Sequence, residues 1–246
     1  MRKLSILMLL AGLGSRFSKA GYKIPKPLIE IDGQPMFMKA LSSIENIDAN
    51  KSFHFVIRQE HVDSQQLDKL IKGKLPKAHI IIIPEMTRGA AETALIGARS
   101  LAANNGLIVM DCDLWFQSES YNTMVQESLE DKTAISGGVL TFTAEDARYS
   151  YAKFGSNGIV TQTAEKQVIS NHAITGAYYF GRVSDFVFAA ETLLIQPLGE
   201  KMPEYYMSLL YNILIDERKQ VKAAVVDKYA SFGTPEELAA YTQTAQ

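Results

Sequence analysis

The chain has 246 residues, 47% of them hydrophobic, enough for one α/β domain with a large core or for two small ones. A formal net charge of −2 excludes a general basic footprint for nucleic acid or for an anionic membrane, so any bound anion must be held by a few placed cations. The single cysteine, Cys112, excludes an internal disulfide and fits a reducing, cytoplasmic setting.

Arg2-Lys3 followed by seven apolar or small residues has the outline of a short signal peptide, but the run leads straight into Gly12-Leu13-Gly14 and reads better as a buried first strand. No later apolar run is long enough to span a bilayer. Short runs rich in β-formers at 4–11, 53–57, 80–83 and 107–110 read as strands buried on both faces, and 36–44, 63–71 and 90–103 read as the helices between them. This alternation predicts a mostly parallel sheet covered on both sides by helices, with the active site beyond the carboxyl ends of the strands. The second half differs. Strands are expected at 134–142, 159–164 and 173–180, with breaks at Gly137-Gly138 and at the hairpin signal Asn157-Gly158. Helices at 184–194 and 204–217, a strand at 222–226 and a last helix at 234–241 complete the reading. Without a linker, repeat or low-complexity stretch, 1–246 is expected to form one domain. Its first lobe, about 1–133, binds nucleotide, and its second, about 134–246, covers the acceptor and ends in a helix.

Two segments fall at the expected active edge. The first is Ala11-Gly12-Leu13-Gly14-Ser15-Arg16-Phe17. Its glycines let the backbone approach a phosphate and aim N–H groups at it. It is neither a dinucleotide fingerprint, since Phe17 stands where a third glycine is needed, nor a Walker loop, since no Gly-Lys-Ser or Gly-Lys-Thr occurs. Pro25 and Pro27 stiffen the chain around Lys26, so Arg16 and Lys26 together suit a triphosphate. A mobile loop of solvated charges is the competing reading. The second segment is Asp111-Cys112-Asp113 after the fourth strand. Two carboxylates at the mouth of a parallel sheet suit Mg²⁺ shared with phosphate oxygens, and would point to one face if the strand continued. The plain alternative is a pair of turn-capping carboxylates, with Cys112 as a small buried filler.

Other candidates are balanced by plainer readings. Gln59, after the second strand, can meet a base edge or simply lead into a helix. Gly89 and the small residues after it can admit a flat base or tight helix packing. Glu165-Lys166 can grip a second phosphate or be solvated charge. None of the four histidines forms a metal-ligand spacing with another.

Taken in order, the glycine loop with arginine, Pro25-Lys26-Pro27-Leu28, the strand-end aspartate, Glu165-Lys166 and Gly233-Thr234-Pro235-Glu236 resemble the sugar-1-phosphate nucleotidylyltransferases, the family of glucose-1-phosphate thymidylyl- and uridylyltransferases. The likeness spans nearly the whole chain. It is nearest to a branch found among bacterial surface-polysaccharide gene products, through Lys19-Ala20-Gly21-Tyr22, Ser150-Tyr151-Ala152 and Gly176-Ala177-Tyr178-Tyr179-Phe180. The resemblance implies a Rossmann-like three-layer α/β/α sandwich with a mostly parallel mixed sheet. It also implies a cytoplasmic enzyme that joins a nucleoside triphosphate to a sugar 1-phosphate or similar acceptor, releases pyrophosphate and serves polysaccharide precursor synthesis.

Residue by residue, it implies that Ala11, Gly12, Gly14 and Ser15 cradle the nucleotide and that Arg16 holds the departing pyrophosphate. Lys26 balances charge at the reacting phosphates, and Gln59 and Gly89 lie by the base. Asp113 coordinates Mg²⁺, with Asp111 as secondary ligand. Lys166 grips the acceptor phosphate, and Glu165, Gly176 and Tyr151 frame the acceptor. No nucleic acid or membrane partner is implied, and a homo-oligomer is compatible with the pattern. One departure stands out: where many relatives carry a second metal-binding aspartate, this chain has Ser231, a much weaker Mg²⁺ ligand. Two other readings remain. One is a glycosyltransferase using Asp111-Cys112-Asp113 for its metal, and the other is a non-catalytic nucleotide-sugar sensor.

Overall fold

A computed structural model describes residues 1–200 and 202–244. In chain order the first half contains β1 (Leu4–Leu9), α1 (Ser15–Lys19), β2 (Glu30–Ile31), β3 (Gln34–Pro35), α2 (Met36–Ser42), β4 (Lys51–Arg58), α3 (Gln59–Gln65), α4 (Leu67–Lys74), β5 (His79–Ile83), α5 (Ala90–Ala98), β6 (Gly106–Met110), β7 (Leu114–Gln117) and α6 (Glu119–Leu129). The second half contains β8 (Ile135–Thr143), β9 (Ser150–Phe154), β10 (Val160–Glu165), β11 (His172–Phe180), α7 (Val183–Leu194), α8 (Leu210–Asp216), β12 (Gln220–Val225), β13 (Lys228–Ser231) and α9 (Pro235–Thr244).

The apolar run at the chain start is β1, paired in parallel with β4 on one side and β6 on the other. Its side chains alternate: Leu4, Ile6 and Met8 join the core beneath α2, α4, α6 and α9, whereas Leu7 joins the core beneath α5, α7 and α8. That alternation on a strand buried on both faces gives three layers, a mostly parallel mixed sheet between two helical layers, as expected. β11 then runs antiparallel between β6 and β8, and β12 adds in parallel beyond β8. The β9–β10 hairpin leaves the sheet at the start of β11, turning through Asn157-Gly158, with Gly158 at φ +73°. Among the described residues, no helix is long and apolar enough to cross a membrane.

The structure departs from the periodicity in instructive places. Gly137-Gly138 does not break a strand. It lies inside β8, where a Cβ on Gly137 would stand 2.9 Å from the Tyr211 ring, so the glycines mark a close approach. The helix expected at 63–71 is two helices, α3 and α4, joined by Gln66 at φ +51°, a left-handed residue that no glycine or asparagine announces. The helix expected at 204–217 shrinks to α8 after a 3₁₀ turn at Met207–Leu209. α6 adds a helix that the alternation of runs above does not include: Ser118 caps it by accepting from the Tyr121 N–H at 3.1 Å, and Tyr121, Met124, Val125 and Leu129 recur at helical spacing.

His54 in β4 stacks on His79 in β5, with centroids 4.7 Å apart and planes 14° from parallel. Burial, and then the neighbouring imidazole, pull the His54 pKa down to about 4. The unfolded chain therefore takes up a proton there near pH 6.5 that the fold resists until about pH 4. The associated stability is full above pH 6.5 and lost as pH falls towards 4. His54→Gln is expected to flatten the fall in melting temperature over that window; an unchanged acid limb would refute the assignment.

Candidate functional site

β1 and β6 are adjacent and parallel, with Met8 opposite Met110, so the loops that follow them emerge side by side. This register brings the glycine loop next to Asp111-Cys112-Asp113. A cavity of about 720 Å³ opens there, lined by Leu9 to Gly12 and Gly14, by Lys26 and Pro27, by Met86 to Ala90 and Thr93, by Asp111 to Asp113, and by Leu198, Pro203 and Glu204.

Lys26 is the centre of its charge. The 3₁₀ turn Lys26–Leu28, entered through Pro25, presents an ammonium 2.5 Å from Asp113 Oδ2. The missing side chain of Gly14 matters here: a Cβ would stand 3.3 Å from Lys26 Cβ, and Gly14 holds φ +60°. Burial is the largest single influence and would depress the Lys26 pKa, but the neighbouring Asp113, Cys112 and Asp111 together outweigh it and the group ends above its usual value. Asp111 shows the opposite imbalance. Burial first, and the Asp113 charge second, push its carboxyl up to about 7 against the pull of Lys26. The strand does not continue through these aspartates: β6 ends at Met110 and β7 starts at Leu114, so it is a bend, not strand alternation, that puts both on one wall.

This donor set fits a hard divalent cation. Two carboxylates line the cavity, and a cation there would relieve the cost of keeping Asp111 ionised. Among the described residues no group of three or more His, Cys, Asp and Glu gathers as a metal site, so the remaining ligands would be phosphate and water. The Ser231 hydroxyl borders the same gap as Asp113 but is engaged, donating to Glu237 Oε2 at 2.7 Å. Cys112 is buried, as expected of a filler.

The structure distributes the other candidates unevenly. Ala11 and Gly12 line the cavity, and Ser15 and Arg16 stand on α1 just beyond it, exposed. Arg16 lies near α9: the Glu236 carboxylate, lowered first by its own backbone N–H and by Thr234, is also lowered by Arg16. Gln59 lies outside the cavity lining, exposed on α3, with its amide donating to Asp63 at 2.7 Å. It is Arg58 and His61 that turn inward, each 7% exposed and hydrogen-bonded to the other at 3.0 Å. Gly89 lines the cavity, but its open side is filled by Tyr205, whose N–H donates to the Arg88 carbonyl and whose carbonyl accepts from Ala91 N–H. Gly176 gives room to Asp111: a Cβ would run into that carboxylate.

Of the residues expected to frame the acceptor, Glu165 Oε2 accepts from Ser150 and, at 2.8 Å, from Ser208. Lys166 sits at φ +52° with Nζ donating to Tyr206 at 2.9 Å. Tyr151 is wholly buried and its hydroxyl donates to the Asp146 carbonyl, so it shapes the 144–149 loop and offers an acceptor no surface. Met86, Leu198, Pro203 and Glu204 line the cavity without having been expected. Met86 comes with the loop that leads to Gly89, whereas Pro203 and Glu204 arrive because the 203–206 segment docks on Gly89, and no local pattern announces that docking.

Gly89 thus couples the two halves. At φ +143° and ψ 172° it holds a backbone shape reserved for glycine, and a Cβ would stand 2.6 Å from both Tyr205 N and O. Gly89→Ala is expected to cost roughly 2–5 kcal/mol in urea unfolding, from backbone strain plus overpacking. Gly73→Ala, in open space, serves as the near-neutral control. Equal behaviour of the two variants would show that the docking carries no weight.

Residues 5–241 match the family model described as nucleotidyl transferase. By sequence, no curated protein matches significantly. Among solved structures, a nucleoside-diphosphate-sugar pyrophosphorylase from Vibrio cholerae superposes with a TM-score of 0.81 at 26% identity, covering 98% of this chain and 99% of that one. A Bacillus anthracis protein described as a glucose-1-phosphate thymidylyltransferase, in complex with sucrose, gives 0.77 at 19% identity over 98% and 95% of the two chains. The inositol-1-phosphate CTP transferase of T. maritima gives 0.71 at 11% identity over 100% and 96%. The last two are similar in fold alone.

Proposed function

The chain belongs to the nucleotidyl transferase family, and on that premise we propose that it transfers the nucleoside monophosphate group of a triphosphate to a sugar 1-phosphate or similar phosphorylated acceptor, releasing pyrophosphate. The observation that carries this is the Lys26–Asp113 contact at 2.5 Å on the wall of the cavity that the glycine loop enters. An acceptor phosphate oxygen attacks the α-phosphorus in line, the bond to the β-bridging oxygen breaks, and pyrophosphate leaves. The attacking oxygen is already anionic at neutral pH, so no base is required. The obstacle is repulsion between two polyanions. Lys26 and Arg16 neutralise the triphosphate, the glycine-loop amides fix its line, and Lys166 holds the acceptor phosphate. A magnesium ion held by Asp113 and Asp111 would supply further charge neutralisation at the reacting phosphates.

Residues 1–133 would hold the nucleotide and 134–246 the acceptor, in a cytoplasmic enzyme of polysaccharide precursor synthesis. The nucleoside-diphosphate-sugar pyrophosphorylase likeness supports a sugar phosphate as acceptor. The test is a matrix of nucleoside triphosphates against phosphorylated sugars, read as pyrophosphate release with and without Mg²⁺. Consumption of nucleotide sugar, with no pyrophosphate from any pair, would favour a glycosyltransferase instead.

A further inference from the structure

We propose that Arg148 is a second cation for the acceptor's phosphate, held in reserve by Glu237 until that phosphate arrives. The identity of the phosphate as an acceptor rests on the function proposed above. The assignment of Arg148 rests on where the fold puts it. Arg148 lies in the 144–149 loop between β8 and β9, and its Nη2 meets Glu237 Oε1 at 2.9 Å. The other oxygen of Glu237 accepts from Gly233 N–H at 2.9 Å and from Ser231 at 2.7 Å. Phe232 N–H in turn donates to the Asp113 carbonyl at 2.7 Å, which pins this strand end to the reaction centre. The Cβ that Gly233 lacks would stand 3.1 Å from Glu237 Oε2 and 3.6 Å from Asp113 Oδ2, so both carboxylates border the same gap. On its other side, Arg148 is the chain neighbour of Tyr149, whose carbonyl accepts from Lys166 N–H at 3.1 Å. The guanidinium is thus tied through Glu237 to the border of the Asp113 gap, and the backbone beside it to that of Lys166. It lies over the Tyr149 ring, 4.6 Å from the centroid, and that ring packs on Phe142, which stacks on Tyr229.

The Arg148 contacts are those of a group waiting for a stronger partner. The Arg148 side chain is 51% exposed, and an ion pair of that exposure adds little stability because water screens it. Nε also meets Asp146 Oδ2 at 3.3 Å, again an exposed pair, and Nη2 donates to the Tyr149 hydroxyl. A phosphate monoester carries more charge and can take the guanidinium fork through two hydrogen bonds, so it competes well against these two single-oxygen carboxylate contacts. Glu237 loses little on releasing Arg148, since its second oxygen keeps the Gly233 and Ser231 contacts.

Calorimetry with glucose 1-phosphate and inorganic phosphate as probes decides the matter. Arg148→Ala is expected to weaken binding of both by roughly tenfold or more, the loss of a charged hydrogen-bond partner. Arg148→Lys is expected to restore part of it, which separates lost charge from lost folding. Glu237→Gln keeps an acceptor for Gly233 and Ser231 but no longer attracts Arg148, and is expected to tighten binding by roughly two- to fivefold. If the pair were only a structural tie, both Arg148→Ala and Glu237→Gln would weaken binding and lower the melting temperature together, and the proposal falls. It also falls if the wild-type chain binds neither probe, or if Arg148→Ala weakens triphosphate binding and leaves glucose 1-phosphate unaffected. Absence of pyrophosphate release from every substrate pair, with Arg148-dependent phosphate binding intact, would instead sink the proposed transfer reaction.

Discussion

Lys26→Ala is expected to lower turnover by roughly a hundredfold or more, about 2.7 kcal/mol of lost transition-state stabilisation. The size follows from the environment of the ammonium. It is largely buried, its position is set by Pro25, Pro27 and the Gly14 backbone, and it needs no rearrangement to meet a phosphate that gains charge. The same substitution strips the counter-charge from Asp111 and Asp113. The substrate-free variant should therefore melt earlier than the wild type, and Mg²⁺ should recover part of the loss because it neutralises the same two carboxylates. Turnover within a few-fold of wild type, measured as pyrophosphate release by a folded Lys26→Ala protein, would remove Lys26 from the chemistry.

Asp113→Asn is the second large effect. Asparagine keeps the shape and one acceptor oxygen but removes the charge that holds Lys26 and would hold the divalent cation. Turnover is expected to fall by roughly a hundredfold at fixed Mg²⁺, and the Mg²⁺ needed for half-maximal rate should rise. Raising Mg²⁺ should then recover part of the loss in Asp113→Asn and none of it in Lys26→Ala. That contrast tests metal binding separately from simple charge. An Asp113→Asn enzyme with normal turnover and an unshifted Mg²⁺ requirement would exclude the aspartate as a ligand. Asp111→Asn should be milder, since a group whose pKa sits about 7 without cation is only partly charged at neutral pH.

Ser231 takes a different meaning beside these residues. Read alone, a serine where the family resemblance implies an aspartate suggests a weakened metal site. In the fold it carries a hydrogen bond from β13 to Glu237 on α9, and Glu237 brings a carboxylate to the border of the Asp113 gap and restrains Arg148. Negative charge is therefore retained at this edge, from a helix six residues further on.

What the amino-acid sequence determined by itself was governed by local chemistry. The apolar runs of β1 and β6, the prolines around Lys26 and the pairing of Asp111 with Asp113 declare strands, a stiffened lysine and a candidate cation site, because each depends on residues within a few positions. The tertiary structure alone decided which groups meet. The Lys26–Asp113 pair spans 87 positions, the Gly89–Tyr205 docking spans the two halves, and the Arg148–Glu237 pair joins a loop to α9. Gln59 and Tyr151 show the same limit from the other side: each sat in a suggestive stretch, and side-chain direction, set by packing, turned one onto an exposed helix and the other into the core. Contacts between distant segments arise from sheet register and helix docking, and no local spacing encodes those.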